Sequence, residues 1–264
     1  MRADLFLYSN GYVESRQKAQ RLIKDGNVTV DGKVLKKPSE EIDCSTEHTV
    51  SVNDNEKYVS RGGIKLDGAL ESFGISVDGL VCADIGASTG GFTDCLLQRG
   101  AKKVYAFDSG RDQLHPRIRN DARVVSKEGF NARYIKPSDI GEEVDLAVMD
   151  VSFISQTMLH PALFEIIKAG GGLVSLVKPQ FEAGREALGK NGIVKNAKDR
   201  YAAALRVLDS AEEVGFSCKG FVSSGITGGD GNEEYLIYLS KTMIDDNDRL
   251  KWREIIKKET TKKR

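Results

Sequence analysis

Asp84 follows Val81-Cys82-Ala83 and leads through Ile85 into Gly86-Ala87-Ser88-Thr89-Gly90-Gly91-Phe92-Thr93, an apolar run, a glycine-rich turn and the start of a helix. Ligands of open α/β sheets bind at such a carboxyl edge. Three chemistries compete for the turn. A dinucleotide fingerprint needs G-x-G-x-x-G, but Ser88 stands at the second glycine, where backbone must approach a pyrophosphate. A hydrolase nucleophile elbow, G-x-S-x-G, is matched in form, yet it needs a later acid and then a histidine. After Ser88 only His115 and His160 follow, neither in a persuasive loop. The third reading is a turn in which an acid, here Asp84, meets the cationic end of a ligand. Asp108 closes the next apolar run, 104–107, where a carboxylate can accept from both hydroxyls of a ribose.

Four more polar residues carry a second chemistry. Asp150 ends the apolar run 144–149, and Lys178 ends the run 173–177. A lysine closing an apolar run is costly to bury unless it is paired or functional. Glu234 opens a late apolar run beside Glu233, and Lys65 precedes the glycine turn. Each alone is more often structural than catalytic. Together, ammonium and carboxylate groups at strand ends suit the activation of a weak hydroxyl nucleophile, supplying a base and a positive field for the resulting alkoxide.

The elements that must position these residues follow from the pattern. Apolar runs at 80–85, 103–107, 144–149, 173–177, 220–223 and 235–239 read as strands, and 91–99, 155–168 and 198–214 as helices. Their alternation predicts a parallel, doubly wound α/β sheet. Residues 58–63 read as a linker, and 249–264 as a charged terminal helix or tail. The first 58 residues are patterned differently. A short helix around Leu5, Leu7 and Tyr8 precedes a second, capped by Ser15 and running through Ala19, Leu22 and Ile23 to Gly26. Alternating Val28, Val30 and Val34 around Asp31-Gly32 predict a hairpin. Arg16, Lys18, Arg21, Lys24, Lys33, Lys36 and Lys37 make this block basic, whereas 39–56 is acidic. On charge alone such a run is more often a solvated face than a binding site.

Composition excludes more than it selects. The 264 residues are 40% hydrophobic and 30% charged with formal net charge zero, so bulk charge says nothing about nucleic acid. No window approaches the roughly 18 apolar residues of a membrane span, and the start lacks a signal-peptide core. Cys44, Cys82, Cys95 and Cys218 form no C-x-x-C pair, which makes a metal site improbable and reduced thiols the expectation. A cytoplasmic protein without metal is expected.

Two resemblances sharpen these expectations. The order Leu5…Gly11-Tyr12-x-x-Ser15-Arg16-x-x-Ala19-x-x-Leu22-Ile23-x-x-Gly26-x-Val28-x-Val30-x-Gly32 resembles the RNA-binding module named after ribosomal protein S-four. It implies that Arg16, Lys18, Arg21 and Lys24 meet phosphates of structured RNA, which proteins read mainly by shape and backbone. From 58 to 240 the chain resembles the FtsJ-type ribose methyltransferases. Arg61-Gly62-Gly63-x-Lys65-Leu66, the 84–93 turn, Asp150-Val151-Ser152-Phe153-Ile154, Val177-Lys178-Pro179-Gln180-Phe181-Glu182 and Gly231-Asn232-Glu233-Glu234-Tyr235 carry that likeness. The whole resembles the hemolysin-A-type rRNA methyltransferases.

The resemblance implies a Rossmann-like α/β sheet at 59–264 preceded by a small α+β RNA-binding domain at 1–58. It implies S-adenosylmethionine held by Asp84, Gly86, Ser88, Gly90, Gly91 and Asp108, and a catalytic tetrad of Lys65, Asp150, Lys178 and Glu234. The substrate it implies is a cytidine ribose of ribosomal RNA within ribosomal subunits. Of the adjacent acids, Glu234 fits the tetrad better than Glu233 because it directly precedes the aromatic. Lys178 is a candidate base, although the residues alone leave open which lysine carries the proton. Two other functions compete. A membrane-active hemolysin lacks a supporting apolar span, and a non-catalytic ribosome-assembly factor would not need all four tetrad positions filled.

Overall fold

The computed structural model describes residues 1–53, 57–228, 231–243 and 245–262. Part of the acidic stretch (54–56) and the last two residues of the basic terminus lie outside the described residues. The chain forms two compact units, Met1–Glu56 and Lys57–Arg264.

In the first unit, α1 (Ala3–Ser9) and α2 (Arg16–Lys24) precede a sheet of β1 (Val28–Val30), β2 (Lys33–Val34) and β3 (Val50–Val52) in the order β2-β1-β3. Ser15 caps α2 by accepting from the Lys18 N–H at 3.2 Å. Ala19, Leu22 and Ile23, one face at helical spacing, are buried against Phe6, Leu7 and Val28. Asp31 and Gly32 both have positive φ (52° and 75°), the backbone of the tight hairpin turn that Asp-Gly favours. On α1, however, Tyr8 is exposed, and the buried face is Ala3, Asp4, Phe6 and Leu7. Asp4 is a hub. Its carboxylate accepts from Arg2, Arg16 and Gln20, and the Arg2 hydrogen bond above all holds its carboxyl far below the usual range.

The second unit contains α3 (Arg61–Phe73), β4 (Val81–Ile85), α4 (Gly91–Gln98), β5 (Lys103–Asp108), α5 (Pro116–Arg119), β6 (Val124–Glu128), α6 (Pro137–Ile140), β7 (Val144–Met149), α7 (His160–Ile166), β8 (Ile167–Val177), α8 (Pro179–Glu182), α9 (Ala197–Glu213), β9 (Ser217–Ser223), β10 (Tyr235–Ser240) and α10 (Asp246–Thr261). Seven strands form one sheet, β6-β5-β4-β7-β8-β10-β9. Residues alternate between its two faces: Ala83 and Ile85 join the core under α9, while Cys82 joins Leu66, Leu70 and Leu96 under α3 and α4.

Three expectations need correction, and a fourth, the helix or tail at the basic terminus, is resolved as a helix. The sheet is mixed, because β10 runs antiparallel to both β8 and β9. Residues 155–168 are not one helix: a single turn at Gln156–Met158 precedes α7, and β8 begins at Ile167. The glycines at 170–172 hide that strand in the sequence. A Cβ at Gly172 would lie 2.7 Å from the Tyr238 ring, so close strand packing, not a loop, accounts for this glycine. Residues 58–63 are no free linker: Tyr58 is buried in the second core, and Arg61 to Gly63 form the first turn of α3. Finally, the basic terminus is the packed helix α10, with Ile256 buried. Among the described residues no helix is long and apolar enough to cross a membrane.

Candidate active site

The site lies where β4, β7 and β8 end and antiparallel β10 begins. Asp84 is fully buried on β4. Its Oδ2 accepts from Thr93 Oγ1 at 2.6 Å, and its Oδ1 has no hydrogen-bond partner among the described residues. Burial pushes its carboxyl up to about 7; the Thr93 bond opposes the shift and the Asp150 charge adds to it. A buried acid with one free oxygen and a raised pKa is suited to receive a cation. Gly86 has φ +83°, and a Cβ there would lie 2.6 Å from the Asp150 carbonyl oxygen, so the turn closes only on glycine. Ser88 also has positive φ (48°), and its N–H donates to Asp108 Oδ2 at 2.7 Å. Gly110 N–H donates to the other oxygen at 2.6 Å. Asp108 is thus fixed by backbone while each oxygen keeps a lone pair. Gly90 caps α4, and Gly91 begins it within reach of Ser60.

The four tetrad candidates form two ion pairs. Lys178, just beyond β8, holds Nζ 2.6 Å from Asp150 Oδ1 and donates to Ser152 Oγ at 2.8 Å. Lys65 on α3 reaches Glu234 Oε2 at 2.5 Å, with both residues buried. Sheet register brings the pairs to one edge: Tyr235 faces Val177, so Glu234 and Lys178 are the adjoining residues of neighbouring antiparallel strands. Asp150 follows β7, where its N–H donates to Ile85 O at 2.9 Å. Glu233 belongs elsewhere. It accepts from the Tyr235 hydroxyl at 3.0 Å and lies 3.4 Å from Arg200 Nε.

Three residues of this edge are given no role by the reading of motifs. Ser152 orients the Lys178 ammonium. Phe153 is 92% exposed with φ +64°, unusual for a bulky side chain, and its ring lies 5.3 Å from that of Phe181. Glu182 is buried, bonded to Ser155 and Gln156. All three stand inside the motifs around Asp150 and Lys178, but nothing in those motifs assigns them a task.

In the first unit the four basic candidates share α2 but differ in setting. Arg16 pairs with buried Asp4 at 3.2 Å and Lys18 with Glu14 at 3.5 Å, while Arg21 is half-buried and Lys24 exposed.

A seven-stranded sheet with one antiparallel strand, a glycine turn after its first strand and acids at the carboxyl edge define the Rossmann-like methyltransferase class. The chain belongs to the FtsJ-like methyltransferase family, which matches residues 58–241, and residues 1–47 match the S4 domain. It is 44% identical over 244 residues to the 16S/23S rRNA (cytidine-2'-O)-methyltransferase TlyA of Mycobacterium tuberculosis, covering 92% of this chain and 91% of that one. Hemolysin A of Brachyspira hyodysenteriae is 45% identical over 240 residues, covering 90% and 99%. A solved Streptococcus thermophilus chain described as a candidate hemolysin superposes with TM-score 0.78 at 43% identity, covering 98% of this chain and 94% of that one.

Proposed function

We propose that this protein transfers a methyl group from S-adenosylmethionine to a ribose 2′-hydroxyl of ribosomal RNA, with cytidine as the target nucleotide, as the name of the Mycobacterium tuberculosis relative describes for that protein. The observation that carries the reading is the pairing of Lys178 with Asp150 and of Lys65 with Glu234 at the sheet edge beside the free oxygen of Asp84. The donor set fits S-adenosylmethionine. Asp84 suits its ammonium, Asp108 its ribose hydroxyls, and Gly86, Ser88, Gly90 and Gly91 let backbone approach it closely. When bound, that molecule supplies a methyl group on positively charged sulfur.

The residues of the chain prepare the other reactant. Lys178, in its amine form, takes the 2′-hydroxyl proton onto Nζ, and Asp150 and Ser152 fix where that nitrogen points. Lys65, held by Glu234, places positive charge where the alkoxide develops. Phe153 offers an exposed ring to a base, the usual way a protein holds an unstacked nucleotide. Residues 1–58 place the RNA and take no part in the chemistry; 59–264 perform it.

Replacing Lys178 with arginine tests the base. Guanidinium stays protonated, so Lys178→Arg should lose methyl transfer to ribosomal subunits by roughly 10²–10⁴-fold while S-adenosylmethionine affinity holds. Wild-type transfer in Lys178→Arg rules the lysine out as base.

A further inference from the structure

Glu182 ends α8, and nothing in the proposed chemistry uses it. It is 2% exposed, and burying a carboxylate is costly unless its bonds do something. Its Oε2 accepts from the Ser155 hydroxyl at 2.6 Å and its Oε1 from the Gln156 backbone N–H at 2.9 Å. Gln156 is buried in turn. Its side-chain oxygen accepts from Ser175 Oγ at 2.5 Å, and its amide donates to Leu176 O at 3.4 Å. Both partners sit on β8, the strand that leads into Lys178.

The segment 151–154 is therefore held at both ends. Lys178 grips Asp150 and Ser152 on one side, and Glu182 grips Ser155 and Gln156 on the other. Between the grips Phe153 holds a left-handed backbone that a bulky residue leaves when nothing enforces it. Its ring rests beside Phe181, which lies on α8 between Lys178 and Glu182. A ring exposed to this degree gains little from burial, so tethers rather than packing must fix its direction.

We infer that Glu182 is a positioning residue: its carboxylate ties the 151–156 segment to α8 so that Phe153 stays presented to the RNA base. The inference rests on the proposed methyl transfer. Glu182 touches no reactant and acts through Phe153. Glutamine keeps its size and still accepts from the Gln156 N–H, but its amide nitrogen can only donate. The Ser155 hydroxyl must then turn round to accept and give up its present bonding to Glu182 and Thr157, which weakens that tether.

The test is a double-variant cycle on the full-length protein with whole ribosomal subunits as substrate. It reads kcat/KM for methyl transfer, S-adenosylmethionine affinity and thermal midpoint for Glu182→Gln, Phe153→Ala and the pair. Glu182→Gln should lower kcat/KM by roughly 10–100-fold, the scale of a misplaced substrate-positioning group, with cofactor affinity unchanged. In the double variant the loss should be no larger than in Phe153→Ala, because residues acting as one unit are not additive. Additive losses, or wild-type kcat/KM in Glu182→Gln, overturn the inference. Should Glu182→Gln fail to fold, Ser155→Ala removes the Oε2 tether, together with the hydroxyl's bonds to Thr157, and enters the same cycle with the same two outcomes. Lys178→Ala serves as the control. Methyl transfer absent from the wild-type protein defeats the methyl-transfer reading itself, activity retained in Lys178→Ala removes the lysine as base, and activity lost there but full in Glu182→Gln defeats only the role of Glu182.

Discussion

One carboxyl oxygen of buried Asp84 has no hydrogen-bond partner among the described residues. Its carboxyl titrates near 7 because burial disfavours the charge, and a bound ammonium would reverse that preference. The sign follows directly. A ligand cation binds the carboxylate, so below about 7 the proton must first leave, and affinity should fall up to tenfold per pH unit as the medium becomes more acidic. Calorimetry at about pH 6 and about pH 8 should show tighter S-adenosylmethionine binding at the higher pH. Asp84→Asn should bind weakly with no such slope; an unchanged slope in the variant would remove Asp84 from the cation site. Asp84, Asp108, Asp150 and Lys178 are legible in the sequence because each interrupts or ends an apolar run, and strand ends are where α/β sheets put their chemistry. Phe153 is not. Its exposure and left-handed backbone accompany bonds from 155–156 to α8, which no local pattern encodes.

At the level of elements, α2 and β8 show what pattern does and does not carry. The α2 helix is readable because Ser15, Ala19, Leu22 and Ile23 set its cap and buried face within one short stretch. The strand β8 is half-hidden because three glycines remove its side-chain signal, and β10 gives no sign that it runs antiparallel, since direction depends on the partner strand. The start of α3 reads as a linker because Gly62 and Gly63 depress helix propensity there. The glycine at 63 is needed for close approach: a Cβ there would lie 2.4 Å from the Tyr58 ring. The basic face of α2 leads to a prediction of its own. Arg16 and Lys18 already hold carboxylates, so RNA phosphates must compete with Asp4 and Glu14 for them. Replacing Arg16, Lys18 and Arg21 with alanine should reduce the salt dependence of RNA binding by about one unit for each phosphate no longer neutralised, and leave S-adenosylmethionine affinity unchanged. An unaltered salt slope would make this face a solvated surface.

Over the whole molecule, the proposed division of work gives RNA placement to the small unit built round Asp4 and chemistry to the large unit built round one mixed sheet. The second unit is sufficient to account for the reaction only if its two lysine–carboxylate pairs act on a ribose hydroxyl. One measurement bears on this most directly. Ribosomal subunits lacking the modification are incubated with the protein and isotopically labelled S-adenosylmethionine, the rRNA is digested to nucleosides, and the labelled product is identified by mass spectrometry. The account predicts label in 2′-O-methylcytidine with wild-type protein and none with Lys178→Ala. Label on a base, or equal 2′-O-methylation by Lys178→Ala, would contradict it.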